Sequence, residues 1–210
     1  MAEVSFPRFF FNRRVLGFFA LVLVPFMMAL SYREYFFPLF AESQGIGENH
    51  VGQLFMLCGM LTIYVGPRLS AFLIRILGPR WCVVLASGGM GAALLLFVLR
   101  PVVWAVLAGL FIMSLTVSFA YTCQYMYFEE LPDSLAYGPG KAMGVYSVFE
   151  SLGQVLGPVV YGSLLSFGWR TGIGAFLVLM AALLAFFALL ILSGRKSGAP
   201  GSLNNQEEKL

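Results

Sequence analysis

The stretch PVVWAVLAGLFIMSLTVSFAYTCQYMYF, residues 101–128, contains no Asp, Glu, Lys or Arg. At a rise of about 1.5 Å per residue, a helix of this length can cross a hydrocarbon core of about 30 Å. Lipid offers no partner for backbone N–H and C=O groups, and the alternating pattern of a barrel strand is absent. The stretch therefore predicts a transmembrane helix.

Three further stretches without a charged residue lie at residues 15–32, 81–99 and 171–193. Of the 210 residues, 60% are hydrophobic and 11% are charged, whereas a soluble domain has about 25% charged residues. So few charges cannot form a water-facing surface around the whole chain. We therefore expect an all-α integral membrane protein whose first partner is the lipid bilayer.

Apolar runs, glycines, prolines and charged residues together delimit the membrane helices. The sequence predicts six spans, at residues 15–40, 51–74, 81–99, 102–128, 142–165 and 171–193. The second span is the least regular, because Gly66, Pro67 and Arg68 lie inside it. The first span also has the features of a secretory signal after Arg13 and Arg14. Its apolar character continues through residue 40, which disfavours that interpretation.

The short connections predict the orientation, because Lys and Arg accumulate on the cytoplasmic side. With a cytoplasmic N-terminus, most basic residues fall inside: Arg8, Arg13, Arg14, Arg75, Arg80, Lys141, Arg195 and Lys196. Arg100 and Arg170 fall outside. We expect a protein of the plasma (cytoplasmic) membrane with both termini cytoplasmic. Residues 1–14 would form an N-terminal segment, residues 15–193 one six-helix membrane domain, and residues 194–210 a flexible tail.

The sequence lacks the usual signals of several functional classes. Cys58, Cys82 and Cys123 lie in apolar runs without metal-ligand spacing, and the single histidine, His50, lies in a polar outer loop. The chain has no phosphate-binding GxxxxGK[ST] loop, no nucleophile with a plausible base and no clustered basic and aromatic residues. We expect no metal site, no cofactor, no enzymatic activity and no nucleic-acid partner.

The fifth span carries regularly spaced small residues. Its sequence GQVLGPVVYG, residues 153–162, is followed by Gly168, Trp169 and Arg170. This pattern resembles the fifth helix in each half of major facilitator superfamily transporters. The order of elements is also similar to one six-helix half, because the first span ends in an acidic, glycine-containing outer loop and the second leads into a short basic turn. The resemblance covers residues 15–193.

The connection between the second and third spans follows the outline of the signature motif of that family. The matching residues are Gly66, Pro67, Leu69, Gly78 and Arg80. Arg75 stands where the family commonly has an acidic residue, and such a weakened motif is more usual in the C-terminal half. Transporters of the family contain two halves around one cavity. The resemblance therefore implies a C-terminal half that needs a second six-helix half, as a separate chain or by self-association, unless the chain is a fragment.

Charged residues at membrane depth are costly and therefore informative. Arg33 and Glu34 lie in the outer half of the first span. Adjacent residues of an α-helix diverge by about 100°, so we expect them to find different partners. One of them would face an aqueous cavity and meet a substrate group or a proton. Alternatively, both side chains snorkel from a locally solvated helix end.

Glu150 lies about two turns inside the cytoplasmic end of the fifth span, on one face with Ser147 and Gln154. A carboxyl group at that depth is suited to a proton-coupled carrier, which must load and release a proton. The structural alternative is a protonated or paired Glu150 that only ties helices together.

Polar residues recur along the fourth span at helical spacing. They are Ser114, Ser118, Tyr121, Thr122 and Tyr125, with Gln124 near the inner end. The stripe can line a water-filled path or provide hydrogen bonds between helices. The resemblance favours the path, because the first and fourth helices of each half face the cavity in that family.

Gly153, Gly157 and Gly162 are expected to let a neighbouring helix approach closely, and Pro158 is expected to bend the fifth span. Packing is the simpler explanation of these four residues, and a hinge for alternating access is the alternative.

The resemblance, together with these residues, implies transport of a small solute by alternating access in half of a secondary transporter, and Glu150 adds the hypothesis of proton coupling. The substrate- and ion-binding residues would be Arg33, Glu34, Ser118, Tyr121, Thr122, Tyr125, Glu150 and Gln154. The main alternative is a membrane-embedded sensor or partner subunit that uses the same kind of bundle without translocation. A channel is less favoured, because the sequence has no ring of charges and no filter-like loop.

Overall fold

The structure is a computed structural model that describes residues 5–196, and the side chains of residues 5–190. All regular secondary structure in this range is helical. The helices are α1 (Phe6–Phe10), α2 (Arg13–Ser43), α3 (Glu48–Leu99), α4 (Val103–Glu129), α5 (Pro132–Tyr137), α6 (Pro139–Leu165) and α7 (Trp169–Lys196). Two stretches of α2, Phe19–Leu23 and Tyr32–Phe36, are π-helical.

Five helices in the described range, α2, α3, α4, α6 and α7, are long and apolar enough to cross a membrane. The predicted all-α class is confirmed, and these helices are compatible with the predicted membrane spans. The tail was predicted to begin at residue 194, but α7 continues through Lys196. The rest of the predicted tail, residues 197–210, lies outside the described residues.

Helix α3 contains both the second and the third predicted spans. Gly78 interrupts it with φ 74° and ψ 161°, a conformation that glycine adopts without steric cost. Residues 48–77 and 79–99 therefore form two arms of α3. The predicted basic turn between the two spans is reduced to this one non-helical residue.

The two arms of α3 run in opposite directions along α4. In the first arm, Thr62 Oγ1 donates to the Ser114 carbonyl oxygen at 3.4 Å, and Gly66 packs against Ser118. In the second arm the order is reversed. There, Gly89 packs against Thr116, and Ala93 packs against Gly109. The chain therefore turns back at Gly78, and the five membrane-length helices provide six arms.

The remaining arms alternate in direction in the same way. The Phe18 ring lies 5.6 Å from the Phe128 ring, whereas the Tyr32 hydroxyl lies near Gly109, so α2 runs antiparallel to α4. One end of the bundle, here called the basic end, carries Arg13, Arg14, Arg75, Arg80 and Lys141. The other end, called the opposite end, carries Arg100 and Arg170.

The N-terminal residues that the structure describes pack onto the basic end. The Phe9 ring is buried and stacks on Tyr137 at a centroid distance of 4.3 Å. Asn12 Nδ2 donates to Asp133 Oδ1 at 2.7 Å, and the Asn12 side chain also caps the first turn of α2 by accepting from the Arg14 backbone N–H. The entry into α2 is therefore fixed to α5, a contact that the sequence did not predict.

Candidate functional site

The Glu150 carboxyl group belongs to α6, one of the membrane-length helices. Glu150 is about 16 Å from the first residue of α6 along the helix axis, which is roughly half of a hydrocarbon core. Its Oε2 atom accepts a hydrogen bond of 3.0 Å from the Tyr125 hydroxyl of α4. Both side chains are partly buried. A membrane-depth carboxyl group and a tyrosine donor are thus held together by two antiparallel helices.

Gln124 lies in the buried interior and is not part of the polar stripe on α4. Its Oε1 atom accepts from the Tyr146 hydroxyl at 3.3 Å, and both side chains are fully buried. Among the described residues, Gln124 Nε2 has no hydrogen-bond partner. The expectation that Gln124 lies near the inner end of a polar path is therefore wrong, because a shift of one residue turns a helical side chain by about 100°.

Tyr121 lies between the two charged regions of the bundle. The Gln154 side chain of α6 is a polar neighbour of the Tyr121 hydroxyl. Glu150, Glu34 and Arg33 all lie within electrostatic range of the same hydroxyl. Glu150 and Gln154 belong to α6 and Arg33 and Glu34 to α2, so Tyr121 of α4 lies near polar groups that are distant in sequence.

Arg33 and Glu34 pair with each other. Arg33 Nη2 donates to Glu34 Oε1 at 3.2 Å, with the Arg33 side chain 24% exposed and the Glu34 side chain 59% exposed. The expectation that they find different partners is wrong. These residues lie in the π-helical stretch Tyr32–Phe36, where a turn holds more residues than in an α-helix. Neighbouring side chains therefore diverge less, and these long side chains can meet.

The polar stripe on α4 divides into two parts. Ser114 is buried, and its hydroxyl donates to the Leu110 carbonyl oxygen at 2.8 Å. Ser118 donates to the Leu115 carbonyl oxygen at 2.6 Å and packs against Gly66 of α3. These two serines lie at the contact between α4 and α3. Tyr121, Thr122 and Tyr125 form the second part, and Thr122 is exposed.

Gly153 and Gly157 bring α6 close to α2. A Cβ atom on Gly153 would lie 2.6 Å from Met27 Cβ, and one on Gly157 would overlap with Ser31 Oγ. Gly162 is exposed, and a Cβ atom there would lie 3.6 Å from the Tyr35 hydroxyl. Helix α6 continues through Pro158 to its end at Leu165. This close contact fixes the rotation of α6 about its own axis. The rotation in turn determines where the Glu150 side chain points.

We group the predicted polar side chains of α2, α4 and α6 that lie outside the contact between α4 and α3 as the polar face. Its members are Arg33, Glu34, Tyr121, Thr122, Tyr125, Glu150 and Gln154. Glu34, Thr122 and Gln154 are exposed on the surface of the single chain. A charged or polar side chain at membrane depth is unfavourable against lipid and normally faces the interior of a bundle or a water-filled cavity.

The candidate metal ligands of the described residues are scattered. No group of three or more His, Cys, Asp or Glu residues there could hold a metal ion. His50 is exposed at the opposite end, away from Glu150, and Cys58, Cys82 and Cys123 are buried free thiols. The side chains of the polar face are suited to binding protons, ions and polar solutes.

Comparisons of the chain with protein-family models, with curated proteins and with solved structures gave no match. The similarity to major facilitator superfamily transporters therefore stays a prediction from the sequence. A function has to be inferred from the polar face and from the arrangement of the six arms.

Proposed function

We propose that this chain is one half of a secondary transporter that moves a small solute by alternating access. The polar face is the observation that carries this proposal. It presents a carboxyl group, a charged pair, hydroxyl groups and an amide on the surface of an apolar bundle. Because these groups are unfavourable against lipid, a second six-helix bundle has to cover them and enclose a polar cavity.

Each member of the polar face has a role under this proposal. Glu150 binds and releases a proton, with Tyr125 holding its carboxyl group in place. The Arg33–Glu34 pair selects the charge of the solute near the opposite end. Tyr121, Thr122 and Gln154 supply hydrogen bonds to polar groups of the solute between these two charged regions.

The second bundle is a separate chain, a second copy of this one, or a further part of a longer polypeptide. The even number of arms and the basic residues at one end support a plasma-membrane protein with both termini in the cytoplasm. The glycine pattern of α6 and the order of the spans support a relationship to the major facilitator superfamily. Gly157 and Pro158 would then serve as a hinge as well as a packing contact.

The direct test is proton-coupled flux in proteoliposomes that contain a proton-sensitive dye. A panel of amino acids, sugars, organic anions and organic cations identifies a solute that drives proton movement. We expect Glu150→Gln to abolish this movement, because the amide cannot carry a proton, while the protein still inserts into the membrane. Glu130→Gln is the matched control, since Glu130 is exposed just after α4 and lies outside the polar face.

Undiminished proton-coupled flux in Glu150→Gln would remove Glu150 from the mechanism. If the wild-type protein bound solutes from the panel but moved none of them, and reconstitution with any six-helix chain that co-purifies with it restored no movement, binding without translocation would replace the transport proposal.

A further inference from the structure

A second polar region lies at the basic end of the bundle, away from the polar face. A cavity of about 350 Å³ opens there among α2, α3, α4, α5 and α7. Its basic lining residues are Arg13 and Arg14 from the start of α2 and Arg80 from the start of the second arm of α3. Phe187 and Leu190 from α7 provide an apolar side. The cavity thus combines three positive charges with an apolar wall.

Two of the three arginines lie near a common polar group. Tyr127 also lines the cavity, and the guanidinium groups of Arg14 and Arg80 both lie within electrostatic range of its hydroxyl. Within residues 5–190, none of the three arginines forms an ion pair with a carboxylate. Three positive charges around one cavity without such a partner attract an anion.

The position of the cavity indicates which anion fits. It lies at the ends of membrane-length helices, at the level where lipid headgroups meet water. Guanidinium groups match the geometry of phosphate oxygens, and basic pockets between transmembrane helices bind the headgroups of anionic lipids. Leu189 and Leu190 of α7 are exposed beside the cavity and offer a surface for acyl chains.

We infer that the cavity formed by Arg13, Arg14 and Arg80 binds a phosphate-bearing anion, namely the headgroup of an anionic phospholipid. The lipid would bridge α2, α3 and α7 next to the reversal of the chain at Gly78. This inference does not depend on the transport proposal, because none of its residues lies on the polar face. Free phosphate has the same charged chemistry and is separated from the lipid by the experiment below.

The test measures lipid binding to the purified protein in detergent by native mass spectrometry. Dioleoylphosphatidylglycerol is the probe, and dioleoylphosphatidylcholine is the zwitterionic control. We expect the anionic lipid to be retained in preference to the zwitterionic one. Because each positive charge near a membrane surface contributes similarly, R14Q/R80Q should weaken phosphatidylglycerol binding by about 30-fold, and R80Q alone by about fivefold.

Two variants control for charge and for folding. R75Q removes an exposed arginine from the same end of the bundle, outside the cavity lining, and should leave lipid binding within about twofold of wild type. R14K/R80K keeps both charges and should retain most of the binding. Circular dichroism establishes whether each variant is folded. If R14Q/R80Q does not fold, lipid binding to R80Q alone tests the inference.

Inorganic phosphate distinguishes the two sources of the anion. If a lipid is the ligand, millimolar phosphate should leave phosphatidylglycerol bound, because the acyl chains add contacts that phosphate lacks. If phosphate displaces the lipid in wild type but not in R14Q/R80Q, the anion site stands and its ligand is free phosphate. Equal binding of both lipids, or unchanged phosphatidylglycerol binding in folded R14Q/R80Q or R80Q, would overturn the inference.

Discussion

The hydrogen bond from Tyr125 to Glu150 joins α4 to α6 at membrane depth. A carboxylate in such surroundings needs donors, and here the donor is a neutral hydroxyl. A hydroxyl can orient a carboxyl group without fixing its charge, whereas a nearby guanidinium would hold it ionised. Arg33, the cationic member of the polar face, is paired with Glu34 instead. The Tyr125 hydroxyl is therefore the group that orients the Glu150 carboxyl group.

Tyr125→Phe removes this donor while retaining the ring. A hydrogen bond to a charged group contributes about 1.5–3 kcal/mol, so we expect the initial rate of Glu150-dependent proton flux to fall by about tenfold or more. The measurement is the proteoliposome dye assay with an active solute. Tyr64→Phe is the control, because Tyr64 is 70% exposed on α3 and lies away from Glu150. An unchanged rate in Tyr125→Phe would show that the hydrogen bond does not contribute to the mechanism.

Glu150 and Tyr125 could be selected from the sequence alone, because a carboxyl group in an apolar run is costly and because tyrosine recurs at helical spacing. The buried environment of Gln124 could not be predicted from the sequence in the same way. It is one residue from Tyr125, and the rotation of α4 about its axis decides which of the two meets the polar face. Packing against Tyr146 fixes that rotation, and no periodicity within α4 contains this information.

At the scale of helices, α2 changes from α-helical to π-helical geometry at two places, each close to a charged group of the polar face. The stretch Phe19–Leu23 is π-helical, and the Phe19 ring stacks on Phe149, the neighbour of Glu150, at 4.5 Å. The stretch Tyr32–Phe36 is π-helical and contains the Arg33–Glu34 pair. Short π-helical turns occur frequently at functional sites. Hydrophobic periodicity could not predict them, since contacts with other helices determine them.

The contact between α6 and α2 makes a prediction about stability. Gly157→Val would place side-chain atoms where Ser31 Oγ lies, so α6 has to move away from α2. Overpacking of this kind costs about 1–3 kcal/mol, which corresponds to a fall in Tm of about 5 °C for a chain of this size. Thermal unfolding in detergent measures this change. Gly144→Val on the same helix is the control, because a Cβ atom there meets nothing within 4 Å. Equal Tm values for both variants would contradict the close contact.

At the scale of the whole molecule, hydropathy and charge in the sequence were sufficient to predict six apolar arms and the clustering of basic residues at one end. That the chain reverses at a single residue, Gly78, was not predictable from the sequence. The residues on both sides of it, such as Leu77 and Arg80, are helical. Which arms touch was not predictable either. The exposure of Glu34, Thr122 and Gln154 on one surface appears only when α2, α4 and α6 are assembled.

The polar face is exposed in a single bundle. This exposure leads to a prediction about whether water or lipid contacts these side chains in the membrane. If a second bundle covers the face and encloses water, cysteines introduced there will be ionised and reactive, because the thiolate is the nucleophile. We expect Thr122→Cys and Gln154→Cys to react with a membrane-impermeant methanethiosulfonate reagent in native membranes. Val178→Cys on α7 is the control, since Val178 is 69% exposed on an apolar helix and should face lipid. The wild-type chain provides the background, because Cys58, Cys82 and Cys123 are buried. Labelling of Val178→Cys but not of Thr122→Cys or Gln154→Cys would mean that the polar face is dry, and a solute pathway along it would then be excluded.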